Sequence, residues 1–431
     1  MKYSHVDEIL EGELIGKEVH LRGWIHRIRK QKNMVFAIVR DHTGVIQTVI
    51  KSNAVSEDEY EDAQKMLIES LVEIHGTVKE DSRAKGGFEI QVTDLNVLDF
   101  ADEFPITENQ SIEFLNDNRH LWMRSRAMTN ALKVRDEVFR SSREYLRDSG
   151  FFETTSPMFV STMGEEGAEL FEVDYFGDTM YLTQTSQMHL EPQLYALERV
   201  FTLAPSFRGE KSRTRKHLTE FWHLEAEEAW CDHECNVKRQ EELITHICHS
   251  VAENEVKALE EMAVPKDRLL KIETPFERMS YTEAIELCRE AGVDISWGED
   301  IRTEAEDVLT EGRDTFLFIE YYPKEIKSFY MKHNEADSRT YKNNDLLAPE
   351  GFGEIIGGSQ REDNPDILVE NIKATGDDPA KYEWFIDIRR YGSVPHSGFG
   401  VGLDRLIRWM LNLSHIRDVI PFPRTVRRTY P

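Results

Sequence analysis

The sequence predicts an α+β protein in two parts, a small N-terminal β-barrel and, after a short connector, a larger domain in which strands and helices mix. From Val19 to about Val97, five short runs (VHLRGWIH, MVFAIVRD, GVIQTVI, LVEIHGTV and FEIQVTDLNVL) alternate apolar and polar residues. That period puts one face of a strand into a core and the other into solvent. From about Leu121 onward the pattern changes, and runs with helical spacing are interrupted by strand-like ones.

Taken in order, the five runs are separated by turn-formers such as Asp41, Gly44, Gly86 and Gly87. The acidic stretch Ser56 to Leu67 falls between the third and fourth runs and reads as a helix. Five strands with one helix at that place are the order expected of an OB-fold barrel, which binds single-stranded nucleic acid or sugars across one face. The proline-containing, aperiodic DEFPITENQ that follows reads as a linker. The expected divisions are therefore 1–101, 102–120 and 121–431. The last part opens with Leu132, Val134, Val138, Phe139 and Leu146 at helical spacing, a stop at Gly150 and a strand ending near Pro157.

With 431 residues, 40% of them hydrophobic, the chain has material for two or three cored domains. No apolar run approaches the roughly 18 residues of a membrane span, and the charged opening lacks the apolar core of a secretory signal. A cytoplasmic protein is expected. The four cysteines (Cys231, Cys235, Cys248, Cys288) are too few for a disulfide framework and are expected to be reduced. A zinc finger from Cys231, Cys235, His246 and His249 is disfavoured, because both histidines fall in a helical run and the first spacing is loose.

A net charge of −27 argues against a polyanionic partner, but its distribution argues for one. Between Arg22 and Arg40 stand six basic residues and no acid, and between Arg208 and Lys216 five basic residues face only Glu210. In the barrel, Phe36 on one strand, Gln47 on the next and cations such as Arg29 nearby would suit an unstacked base: one stacks, one bonds the base edge, one holds the backbone. A core position for Phe36 is the competing reading, since MVFAIV is apolar on both faces.

Two stretches of the second domain carry phosphate chemistry. In APSFRGEKSRTRKHLTEFWHLEAE, alternation puts Arg208 and Glu210 on the same strand face, where a guanidinium can fork onto phosphate oxygens and a carboxylate can accept from an adenine amino group. Phe221 offers a flat surface for the purine. In SGFGVGLDRLIRWMLNL a glycine-rich strand runs into an amphipathic helix; Gly398, Gly400 and Gly402 are expected to let a ligand approach the backbone, with Arg405 in the first helical turn meeting the far end of a triphosphate.

These stretches, in this order, resemble the three motifs of class II aminoacyl-tRNA synthetases, the long helix and strand before Pro157 being the first. Nearly the whole chain resembles the subgroup that joins an OB-fold to that catalytic domain, the aspartyl, asparaginyl and lysyl enzymes, in archaeal-type form. The resemblance implies a mixed, mainly antiparallel sheet flanked by helices, a homodimer, and magnesium used with ATP. It assigns ATP binding to Arg208, Glu210, His217, Leu218, Phe221, Glu354, Gly402, Asp404 and Arg405, with Arg208, Glu354 and Arg405 catalytic and Asp345 and Glu354 holding the metal. The amino acid is assigned to Glu165, Gln187, Leu190, Arg208, Gly357, Arg361 and His396, and the anticodon to Arg29, Phe36 and Gln47. The family's Glu-Gly-Gly loop reads Glu165-Glu166-Gly167 here.

Within the subgroup, aspartyl enzymes carry a lysine three residues after the glutamine of a Ser-Pro-Gln motif. This chain keeps Gln187 and has Leu190 at the lysine's place. An aspartate carboxylate buried without that cation would cost several kcal/mol, which a neutral amide avoids. The expected activity is ATP-dependent attachment of asparagine to tRNA through an adenylate. The alternatives are an aspartyl enzyme of relaxed specificity, a tRNA-independent asparagine synthetase, which would lack the barrel, and a binding protein that lost catalysis, which would have lost Arg208, Glu354 or Arg405.

Overall fold

In the computed structural model, residues 3–162, 170–209, 211 and 214–431 are described. The chain divides into two compact units, Met1–Leu115 and Asn116–Pro431.

The first unit is a closed barrel of β1 (Glu18–Gln31), β2 (Met34–Arg40), β3 (Val45–Lys51), β4 (Leu71–Glu80) and β5 (Phe88–Asp99), in the order β1-β2-β3-β5-β4. The expected strands all form, because their alternation is what closes the barrel. In β2 the residues Val35, Ala37 and Val39 are buried, while Phe36, Ile38 and Arg40 between them are partly exposed. Phe36 is therefore not a core aromatic. The helix Glu57–Lys65 lies between β3 and β4; the Ser56 hydroxyl accepts from the Glu59 amide and the Glu59 carboxylate accepts from Ser56 N–H, a reciprocal cap that fixes where it starts. A short helix, Val6–Leu10, precedes β1 and plugs Val6 and Ile9 into the barrel core.

The second unit carries β6 (Phe152–Glu153), β7 (Phe159–Val160), β8 (Glu172–Tyr175), β9 (Asp178–Leu182), β10 (Arg199–Phe207), β11 (Glu220–Ala229), β12 (Glu277–Ser280), β13 (Leu317–Glu320), β14 (Asn343–Ala348), β15 (Gly353–Gln360) and β16 (His396–Gly402). Strands β7, β9 and β8 make a small sheet, and the other eight form one sheet in the order β12-β13-β14-β15-β16-β11-β10-β6. It is antiparallel except at its two edges, β12 with β13 and β10 with β6. Such a sheet can cover one face with helices and leave the other open to a ligand. The helices Arg126–Asp148 and His233–Asn254 supply the cover, packing Val134, Val138, Leu146, Leu243, Ile247 and Val251 into one core with Leu224, Ile356 and Val401 of the central strands. The first of these helices begins where Ser125 caps Met128 N and ends before Gly150, whose φ of +84° suits glycine. No helix among the described residues is long and apolar enough to cross a membrane.

The expectation for the cysteines fails in this unit. Cys231 and Cys235, expected to be reduced, are joined in a disulfide. Cys231 follows β11 and Cys235 lies in the first turn of the next helix, so the chain reversal brings their Cα atoms to 5.4 Å. His249 bonds the Ile272 carbonyl instead of joining them, and Cys248 and Cys288 are buried and free.

Candidate active site

The open face of the large sheet forms a cavity of about 850 Å³, within the range of nucleotide and cofactor sites. It is lined by side chains of β11, β14, β15 and β16, of the β10–β11 connection and of the helix Thr303–Thr310. Among the expected residues Arg208, His217, Leu218, Phe221, Gln187, Asp345, Glu354, Gly357, Arg361, Gly402, Asp404 and Arg405 all line it. Sequence positions up to 218 apart are thus brought to one hollow by the crossing of central strands. Glu165, Glu166, Gly167 and Glu210 lie outside the described residues.

One region of the cavity is cationic and flat. β10 ends at Phe207, so Arg208 follows the strand instead of standing within it, although its N–H still pairs with the Thr219 carbonyl at 3.0 Å. Its guanidinium carbon stands 5.4 Å from the centre of the Phe221 ring. Arg405 donates to the Glu354 main-chain oxygen at 2.9 Å. Burial, with the charges of Arg405 and Lys216, pushes the His217 imidazole down to about 4. Near neutral pH it is a hydrogen-bonding group without charge.

Two carboxylates converge beside these cations. A Cβ at Gly357 would lie 3.5 Å from a Glu354 oxygen and 3.8 Å from an Asp345 oxygen, so both acids face the space over that glycine. Burial pushes the Asp345 carboxyl up to about 6, against the pull of Lys327, which donates to both its oxygens at 2.8 and 2.6 Å. Burial would raise Glu354 as well, but Arg405, Lys327, Arg208 and Lys216 outweigh it and hold it below the ordinary carboxylate value. Oxygen-only donors on neighbouring strands fit magnesium, a hard ion that keeps several waters and completes its shell with phosphate oxygens.

A second region holds amide and ion-pair chemistry. Arg361 donates to Glu227 through Nε at 3.2 Å and Nη2 at 2.5 Å, and to the Ser359 hydroxyl at 2.6 Å. Burial pushes the Glu227 carboxyl up to about 7 despite Arg361, and Glu191 adds to the rise. Gln187 opens the helix Gln187–Leu197, whose start is held by Glu225 accepting from Ser186 N at 2.7 Å.

Five expected residues have other surroundings. Leu190 is fully buried against Leu194 and Val200 and does not line the cavity, although it stands one helical turn from Gln187. His396 sits behind the cavity, between the Val394 carbonyl at 2.7 Å and Glu191 at 2.9 Å. Asp404 reaches the cavity wall but its carboxylate is taken by Trp222 N at 2.9 Å and by Arg135. Gly398 makes room for the protein itself: a Cβ there would collide with the Glu227 carboxylate, as one at Gly400 would with the His223 ring.

Sequence reasoning missed Glu225, Glu227, Glu306, Lys216 and Lys327, all in the cavity wall. Glu306 accepts from both Lys216 and the Glu354 amide, so it fixes a cation and an acid of the phosphate region together. A signal existed for two of them, since His223, Glu225 and Glu227 recur at period two along β11 and must share a face.

In the barrel, Arg29 and Phe36 are register partners and the guanidinium lies 5.6 Å from the ring centre. Gln47 pairs with Ile38 on the neighbouring strand, which makes it a diagonal neighbour of Phe36 on the same open face. Its amide nitrogen donates to Glu89 at 2.8 Å, leaving the oxygen to accept.

Known proteins share both units. A family model described as tRNA synthetases class II (D, K and N) matches residues 111–426, and one described as OB-fold nucleic acid binding domain matches residues 19–98. The sequence is 45% identical to an asparagine–tRNA ligase of Thermoplasma acidophilum over 99% of each chain. It is 47% identical to one of Thermococcus gammatolerans over 97% of each. The fold superposes on a crystal structure of asparaginyl-tRNA synthetase from Pyrococcus horikoshii complexed with asparaginyl-adenylate, with a TM-score of 0.96 and 45% identity over all of both chains. The chain belongs to the class II aminoacyl-tRNA synthetases of the aspartyl, lysyl and asparaginyl group.

Proposed function

We propose that the chain attaches asparagine to its cognate tRNA, using ATP and passing through an asparaginyl-adenylate. The observation that carries this reading is the Arg361–Glu227 pair in the wall of the cavity that also holds Arg208 and Arg405. An amide side chain both donates and accepts, and a guanidinium beside a carboxylate answers both needs. A carboxylate side chain would be drawn to Arg361 and repelled by Glu227. The full-length relatives named as asparagine–tRNA ligases support the same choice.

In the first step the asparagine carboxylate attacks the α-phosphorus of ATP and pyrophosphate leaves. Arg208 stabilises the negative charge that builds on the phosphoryl oxygens, and Arg405 holds the far end of the triphosphate. Phe221 stacks on the adenine, with Glu210, His217, Leu218 and Gly402 around the nucleotide. Magnesium, when bound by Asp345 and Glu354, neutralises phosphate charge. Gln187 and Glu165 receive the α-ammonium. In the second step the terminal 3′-hydroxyl of the tRNA attacks the adenylate carbonyl. No covalent enzyme intermediate is needed, and positioning supplies most of the catalysis.

The barrel face of Arg29, Phe36 and Gln47 reads the anticodon of the tRNA. The chain acts in the cytoplasm as a homodimer, in which the edge strand β6, with its 55% exposed Phe152, meets a second copy. Charging assays with labelled asparagine or aspartate on tRNA transcripts test the whole reading. Asparagine esterified to the transcript with the asparagine anticodon is expected; aspartate on either transcript, or no ester at all, would overturn it.

A further inference from the structure

Behind the amino-acid region lies a charged residue that the reaction as described does not use. Glu191 is completely buried on the helix Gln187–Leu197. One of its oxygens accepts from the Gln187 amide nitrogen at 3.0 Å. The other is shared by Arg389 and the His396 ring, the latter at 2.9 Å. Arg389 is anchored in turn on the main-chain oxygens of Glu362 at 3.0 Å and Phe385 at 3.3 Å. Burial alone would raise the Glu191 carboxyl, but Arg389, His396 and Arg361 hold it well below the ordinary range, so it carries its charge.

Two consequences reach the cavity. A carboxylate can only accept, so Gln187 must turn its N–H₂ toward Glu191, which leaves its carbonyl oxygen as the atom available to the ligand. Glu191 also sets the charge behind the pocket. Ligand atoms of Glu191, Glu227 and His396 lie within 4.8 Å of one another. Two guanidinium groups, Arg361 and Arg389, face two carboxylates, Glu191 and Glu227. Removing the Glu191 charge makes this region more positive, by a full unit where Glu227 is already ionised, in a medium where charges interact strongly.

We propose that Glu191 is a positioning and selectivity residue: it orients the Gln187 amide as an acceptor for the substrate ammonium, and its buried charge keeps the pocket from attracting a substrate carboxylate. This rests on the reading of the cavity as an asparagine-activating site. Aspartate differs from asparagine there by one negative charge at the side-chain end, so the unit that Glu191 supplies is the unit that discriminates.

Glu191→Gln, which keeps size and removes charge, tests it in ATP–pyrophosphate exchange with asparagine and with aspartate. The ratio of kcat/KM for aspartate over asparagine is expected to rise about ten-fold or more, with the asparagine KM raised and the ATP KM changed less than about two-fold. Glu191→Gln combined with Arg389→Gln removes both members of the ion pair together, a change buried pairs often tolerate. It restores the charge balance, and the wild-type preference for asparagine is expected to return. An unchanged ratio in Glu191→Gln, or an aspartate gain as large in the double variant, would overturn the proposal, the second because it traces the effect to packing. If Glu191→Gln does not fold, Arg389→Gln decides: it leaves the Glu191 charge in excess, so the aspartate-over-asparagine ratio is expected to fall, and an unchanged or higher ratio refutes the charge argument. Wild-type protein run alongside separates the two readings. A wild type that activates no asparagine refutes the proposed function, whereas a selective wild type with an unaltered Glu191→Gln refutes only the role of Glu191.

Discussion

Arg405 donates from one guanidinium nitrogen to the main-chain oxygen of Glu354 at 2.9 Å, and the same nitrogen stands 3.5 Å from the Glu354 carboxylate. The helix Leu403–Met410 is thereby fastened to β15, and the acid expected to meet magnesium is kept ionised by the cation expected to meet phosphate. Arg405→Ala is expected to lower kcat/KM for ATP by about 100-fold or more. The sign of its pH effect also follows. Arg405 lowers the Glu354 pKa, so its loss raises that pKa, and activity should fall off at a higher pH on the acid side. Exchange rates measured from pH 5.5 to 8 check both points.

Asp404 divides a structural role from a binding one. Its carboxylate is 1% exposed and held by Arg135 and Trp222 N. Asp404→Asn leaves the buried Arg135 charge uncompensated and is expected to cost about 3–5 kcal/mol of stability in urea denaturation. The ATP KM of the folded fraction should move less than about three-fold.

Leu190→Lys would be a specificity switch if residue 190 lined the pocket. Since Leu190 packs against Leu194 and Val200, the substitution buries an ammonium among aliphatic side chains. It is expected to lower stability by several kcal/mol without producing aspartate activation. Thermal unfolding and aspartate-dependent exchange on the same preparation distinguish the outcomes.

Phe36→Ala removes the stacking surface of the barrel. A base on an aromatic ring contributes about 1–3 kcal/mol, so kcat/KM for tRNA in aminoacylation should drop by about 5- to 150-fold. The tRNA-independent exchange reaction is the internal reference, and an equal loss in both would remove Phe36 from tRNA recognition.

The fold was largely legible in the sequence because its determinants are local. The alternation in MVFAIV and its neighbours builds the barrel, the Ser56–Glu59 cap starts its helix, and Gly150 stops the long helix of the second unit. Period alone could not decide whether Phe36 faced in or out; burial of Val35, Ala37 and Val39 decided it. Arg208, Phe221, Glu354, Arg361 and Arg405 were legible by motif, and the cavity gathers them. What escaped was the charge network beneath. Glu191 meets Arg389 198 positions away, Glu227 meets Arg361 134 away and Lys216 meets Glu306 90 away. No sequence period links residues so far apart, and a buried carboxylate reads like a surface one until its partner is placed. Leu190 was chosen by its spacing from Gln187, and that spacing does not tell that its side chain packs against Leu194 and Val200 instead of lining the cavity.

The activation of asparagine is tested most directly by ATP–pyrophosphate exchange with purified protein and asparagine, aspartate or lysine as the only amino acid. Exchange driven by asparagine alone is the expected result. Exchange driven by aspartate or lysine would contradict the reading of the Arg361–Glu227 pair as an amide site, and exchange with none of the three would contradict the enzyme itself.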